Sequence, residues 1–122
     1  MDSRPRAKEV EIGDHVFTDD GGGMTQRSLE YFDTLKGKLG RIIEININSK
    51  RNFCWEIFCD AGWIMLSGIN SGYGGQGPNG SETILKLLGF KSTEPEDAAI
   101  LASIFKKENI RINCRRRFDC YW

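Results

Sequence analysis

Ile43-Glu44-Ile45-Asn46-Ile47, Phe53-Cys54-Trp55-Glu56-Ile57-Phe58 and Trp63-Ile64-Met65-Leu66 follow one another with only two short polar breaks. In the first run three isoleucines alternate with Glu44 and Asn46, the period of a half-buried strand. In the second, Phe53, Trp55 and Ile57 alternate with Cys54, Glu56 and Phe58. The third is apolar on both faces, which places it inside a sheet. The breaks, Asn48-Ser49-Lys50-Arg51-Asn52 and Asp60-Ala61-Gly62, are too short to hold crossover helices. The three strands are therefore expected to form an antiparallel meander.

The pattern extends outward from there. Ile110, Ile112, Cys114, Phe118, Cys120 and Trp122 share one face of a terminal strand, with Arg116 as the exception on that face. Val10, Ile12 and Val16 suggest a short first strand that Gly13 and His15 interrupt. Leu29, Phe32, Leu35 and Leu39 recur at three- and four-residue steps, which predicts a helix over 25–36. Gly37 and Gly40 would end it, although the same glycines also permit a hairpin. Ser81 is placed to N-cap a short helix ending at Gly89, with Ile84, Leu85, Leu87 and Leu88 inward. Thr93-Glu94-Pro95-Glu96 reads as a capping box with Thr93 as N-cap. The helix it opens runs to about 107, with Ala98, Leu101, Ile104 and Phe105 buried. Residues 1–8 read as a flexible arm and 9–122 as one domain. The expected class is α+β, with a mostly antiparallel sheet of four to five strands and two to three helices packed on it.

At 122 residues the chain has room for one core, and its 39% hydrophobic and 28% charged residues suit a water-facing globule. Formal net charge is zero, so the overall field favours neither nucleic acid nor an anionic membrane. The distribution is uneven. Residues 1–35 carry eight acidic against four basic side chains, and residues 103–122 carry six basic against two acidic. No apolar run reaches a bilayer-spanning length. Met1-Asp2-Ser3-Arg4-Pro5-Arg6 leads into no apolar core, so no secretory leader is expected. Cys54, Cys59, Cys114 and Cys120 are spaced C-x4-C and C-x5-C, unlike a zinc knuckle. They read as reduced, mostly buried thiols of a cytoplasmic protein. No cofactor and no metal are expected.

Five of the 14 glycines lie in Ser71-Gly72-Tyr73-Gly74-Gly75-Gln76-Gly77-Pro78-Asn79-Gly80-Ser81. Helix-start amides carry partial positive charge, and glycine lets them approach a ligand. One reading is an anion or nucleotide site formed by Gly72, Gly74, Gly75, Gly77, Gly80 and Ser81. The G-x-G-x-x-G spacing is present, but no second parallel strand with a ribose-binding acid follows, and no lysine precedes Ser81. The other reading is a shaped turn for structure or protein contact. His15, the single histidine, stands near Asp14, Asp19 and Asp20. No nucleophile motif accompanies it, so no catalytic residue is assigned. The three aspartates also lack the spacing of a calcium loop. Arg115, Arg116 and Arg117 beside Phe118, Tyr121 and Trp122 pair basic with aromatic groups, yet a strand shows only Arg115 and Arg117 on one face. Trp55, Trp63 and Trp122 belong to the expected core.

A small single-domain α+β chain whose loop over 71–81 leads into Ile84, Leu85, Leu87, Leu88 and Phe90, with no active site, resembles the immunity proteins of bacterial polymorphic and contact-dependent growth inhibition systems. The resemblance implies a non-enzymatic, cytoplasmic protein that binds a cognate toxin domain and covers its active site or substrate entry. Against a nuclease toxin, carboxylates would stand in for phosphates. It implies Asp14, Asp19, Asp20, Glu30 and Asp33 as contact residues, with Tyr73 as an anchor. The zero net charge departs from strongly acidic members of that class.

Overall fold

The meander forms as the alternation predicts. A computed structural model describes residues 15–49, 52–72 and 75–114. The arm over 1–8, Val10, Ile12, Asp14, Tyr73, Gly74, the Arg115-Arg116-Arg117 run, Phe118, Cys120, Tyr121 and Trp122 lie outside the described residues. The strands are β1 (Val16–Thr18), β2 (Ile42–Ile47), β3 (Trp55–Cys59), β4 (Gly62–Leu66) and β5 (Ile110–Asn113). The helices are α1 (Thr25–Leu35), α2 (Gln76–Leu87) and α3 (Pro95–Ser103), which continues into a 3-10 turn over Ile104–Lys106. The fold class is α+β: the described residues form a five-stranded sheet in the order β1-β4-β3-β2-β5 with three helices. The pairings of β4 with β3, β3 with β2 and β2 with β5 are antiparallel, and β1 joins β4 in parallel.

The strand period decides the core. Ile45, Ile47, Trp55, Ile57, Ile64, Leu66 and Ile112 share one sheet face and meet Phe32, Ile84, Leu85, Leu101 and Ile104 from the helical layer. The opposite face carries Phe58 and Trp63, whose rings lie 5.2 Å apart, with Met65 against them. Glu44, Asn46 and Glu56 lie on that second face, and all three are buried. β2 is therefore buried on both sides rather than half-buried. Part of its polar face is satisfied internally: Asn46 Nδ2 donates to Glu44 Oε2 at 3.0 Å, and Arg111 Nε to Glu44 Oε1 at 3.2 Å.

Three local expectations are corrected. A register shift between Ile42 and Glu44 puts Ile42 in the core and leaves Ile43 half-buried, so the alternation does not extend through Ile43. α2 begins at Gln76, not after Ser81; Gly75 is its N-cap at φ 93°. Ser81 is the sixth helical residue. α3 has Glu94 as N-cap and Pro95 in its first turn, with no side-chain cap bond, so the Thr93 box is out of register by one. The residue before proline avoids the helical region, and Glu94 is extended at φ −96° and ψ 128°. Lys91 N is instead bonded by the Asp97 carboxylate at 2.9 Å.

Cys54, Cys59 and Cys114 are buried. Burial, with Asp60 and Cys114 adding to it, pushes the Cys59 thiol up to about 12, far from a nucleophile's range. No helix among the described residues is long and apolar enough to cross a membrane.

Candidate functional site

Asp19 organises the region where the acidic side chains gather. It follows β1 directly, is buried, and has its backbone N–H bonded to Met65 O at 3.2 Å. Its Oδ1 accepts from Gly21 N at 3.0 Å and Ser67 Oγ at 2.8 Å. Its Oδ2 accepts from Ser67 N at 2.9 Å and from Ser28 Oγ. Each serine hydroxyl then accepts in turn: Ser28 Oγ from Gly68 N at 2.7 Å, and Ser67 Oγ from Gly23 N at 3.0 Å. Thr25 Oγ1 closes the set by donating to Gly68 O at 2.7 Å. One carboxylate thus ties the glycine turn after β1 to the start of α1 and to the exit of β4. A buried charge of this kind is tolerable because its lone pairs are occupied.

The neighbouring acids have the opposite disposition. Asp20 is exposed; the Gly22 amide at 2.9 Å and the Arg27 guanidinium at 2.8 Å hold its carboxyl below the ordinary aspartate value. Glu30 is exposed and accepts from Gln26 Nε2 at 3.1 Å. Thr18, Asp19, Asp20, Arg27, Glu30, Tyr31 and Thr34 line an open cleft of about 520 Å³ between the end of β1 and α1. The four α1 members recur at the three- and four-residue spacing of one helix face. Asp33 lies outside this lining, is exposed, and stands 3.7 Å from Lys36 Nζ.

Thr18, Arg27, Tyr31 and Thr34 are cleft residues that the sequence did not single out, although the helical spacing of Arg27, Tyr31 and Thr34 was visible. Burial, then the charge of Asp19, raise the Tyr31 phenol above the ordinary 10.0. The neutral form is favoured in the fold, so its contribution to stability is complete below pH 10.0 and fades as pH rises through the raised value. In a near-ultraviolet phenolate titration, Tyr31→Phe should remove a late-ionising step. A titration of unchanged shape would contradict this placement of the ring. Ser28 and Ser67 carried no local signal, because their common partner is an aspartate distant in sequence.

The glycine loop is used differently. A Cβ on Gly80 would sit 2.5 Å from Ile69 Cγ2 and 2.8 Å from Thr25 Cγ2, so glycine here lets α2 press on its neighbours. A Cβ on Gly77 would sit 2.4 Å from Asn70 Oδ1. Ser81 is fully buried; its hydroxyl accepts from Trp55 Nε1 at 2.6 Å and donates to Asn70 O at 2.7 Å. Gly72 N donates to Ile104 O at 2.7 Å. Pro78, third in the helix, has no N–H to offer. Among the described residues, Asn70 Oδ1 is buried without a partner, and it presents an acceptor, not a donor, to this helix start. Of the six residues considered for an anion site, Gly74 lies outside the described residues, Gly72 and Ser81 are bonded within the fold, Gly77 and Gly80 serve close packing, and Gly75 shapes the helix entry.

His15 is exposed, with its ring 6.3 Å from that of Phe17, and it does not line the cleft. Among the described residues, no group of three or more His, Cys, Asp or Glu side chains is arranged to hold a metal. No protein-family model, no curated protein and no solved structure matches this chain.

Proposed function

We propose that this chain is a non-enzymatic protein-binding module of the cytoplasm that neutralises a cognate toxin domain, gripping a basic surface of that domain through the cleft beside α1. The observation that carries this is the pairing of exposed Asp20 and Glu30 on one open cleft, beside a turn that Asp19 holds in place. A preorganised acidic rim lowers the ordering cost of docking and steers a basic partner. Asp19 supports that rim from below, and Asp33 adds charge farther along α1. The six-residue anion reading of the glycine loop lacks comparable support, since Gly72 N and the Ser81 hydroxyl are bonded within the fold.

The test uses the companion protein captured from the native host. Asp20→Lys combined with Glu30→Lys should slow association about tenfold or more at low salt, with a smaller change in dissociation. The same double variant should fail to protect cells that express the companion's toxic domain. Association and protection equal to wild type would rule the acidic cleft out as the contact surface.

A further inference from the structure

Among the described residues, the outer edge of β1 is an open strand edge beside the cleft. Val16 lies opposite Trp63 and Thr18 opposite Met65 in the parallel pairing. His15 O accepts from Trp63 N at 2.9 Å, and Asp19 N donates to Met65 O at 3.2 Å. Backbone groups alternate sides along a strand, so residues 15, 17 and 19 serve β4, while the N–H and C=O of Val16 and Thr18 point away from it. β1 is the outermost strand among the described residues, and none of them bonds to those outward groups. Val16 and Thr18 are both exposed, and Thr18 also lines the cleft with Asp20, Glu30 and Tyr31. An unpaired edge is a template for a further extended chain, and strand addition is a recurrent mode of peptide recognition.

We infer that an extended segment of a basic protein partner adds to β1 as a sixth strand, with a lysine or arginine side chain of that segment entering the cleft. The inference rests on the acidic-cleft reading above and specifies how the partner is held. Main-chain bonds to Val16 and Thr18 supply affinity, and every second side chain of the added strand falls on the α1 side, where Glu30, beside the Asp20–Arg27 pair, selects a cation. A second copy of this chain fits the edge poorly, because edge-to-edge pairing brings two acidic clefts together.

The probe is a fluorescent peptide of alternating lysine and valine, with alternating glutamate and valine as control, titrated against the full chain at low salt. The lysine peptide should bind, the glutamate peptide should not, and the Val16 and Thr18 amides should gain protection from hydrogen exchange on binding. Val16→Pro removes an outward N–H and no bond to β4. It should weaken binding about tenfold, the loss of one backbone hydrogen bond, with the thermal midpoint retained. The exchange measurement on the wild-type chain needs no variant to fold. Failure of the lysine peptide to bind, or binding that leaves both amides unprotected, overturns strand addition. Wild-type binding that leaves those amides unprotected and is lost in Asp20→Lys with Glu30→Lys overturns strand addition alone. Binding indifferent to that charge reversal overturns the acidic-cleft reading itself.

Discussion

Asp19→Ala is expected to lower the thermal midpoint by about 10 °C or more, a loss of about 3–4 kcal/mol. The carboxylate accepts from two backbone amides, Gly21 and Ser67, and from two hydroxyls, Ser28 and Ser67. Hydroxyls can turn toward other acceptors and the exposed Gly21 amide can turn to water, but the part-buried Ser67 amide is fixed by the chain, and a donor orphaned there costs more than an average hydrogen bond contributes. The loss also reaches further than one residue, because Ser28 and Ser67 orient their own acceptor lone pairs toward Gly68 N and Gly23 N. Asp19→Asn keeps the shape but turns one acceptor oxygen into a donor facing other donors, so it should fall between wild type and alanine. Asp20→Ala, one residue along but exposed, should barely move the midpoint. Calorimetry of the three variants checks the order, and an Asp19→Ala midpoint equal to that of Asp20→Ala would show that the network is not cooperative. Where the midpoint falls as expected, weak partner binding by Asp19→Ala reports a loosened rim rather than a lost contact.

Gly68→Ala should cost about 3 kcal/mol or more, at or beyond the upper end of ordinary overpacking. A methyl group there would lie 2.3 Å from Met24 O, 2.4 Å from Met24 C and 2.7 Å from Thr25 N. These are backbone atoms at the start of α1, and they have no room to yield. Gly68 O is bonded to Thr25 Oγ1, and Gly68 N to Ser28 Oγ, so both sides of the contact are pinned. Gly75 offers the contrast: nothing lies within 4 Å of a Cβ there, and only its φ of 93° resists a side chain. Denaturant melts of Gly68→Ala should show a lower midpoint at an unchanged slope. Wild-type stability in that variant would mean that α1 can shift away from the β4 exit.

Much of the architecture was legible because its causes are local. Alternation over 43–47, 53–58 and 63–66 specified three strands, and short polar breaks specified their antiparallel order. Spacing of Leu29, Phe32 and Leu35 located α1 to within a residue of its observed Thr25–Leu35. The errors share one physical origin. Gln76-Gly77-Pro78-Asn79-Gly80 has poor helix propensity, yet it is helical because its small residues allow α2 to pack against Ile69, Asn70 and Thr25. The Ile42–Glu44 register shift has no signature in the alternation, which Ile43, Ile45 and Ile47 keep in phase without a break.

The acidic set divides in the same way. Composition could find Asp19, Asp20, Glu30 and Asp33, but it could not separate them, because adjacent aspartates look alike until the chain folds. Tertiary contact turned Asp19 inward to Ser28 and Ser67, left Asp20 and Glu30 on the cleft, and set Asp33 apart from its lining. It also brought β1 against β4 in parallel, 47 residues apart in the Val16 to Trp63 register. Secondary structure here follows from side-chain period and turn chemistry within a few neighbours. Which polar group is buried, which glycine is a spacer and which strand forms the sheet's edge depend on partners distant in sequence, whose approach no local pattern encodes.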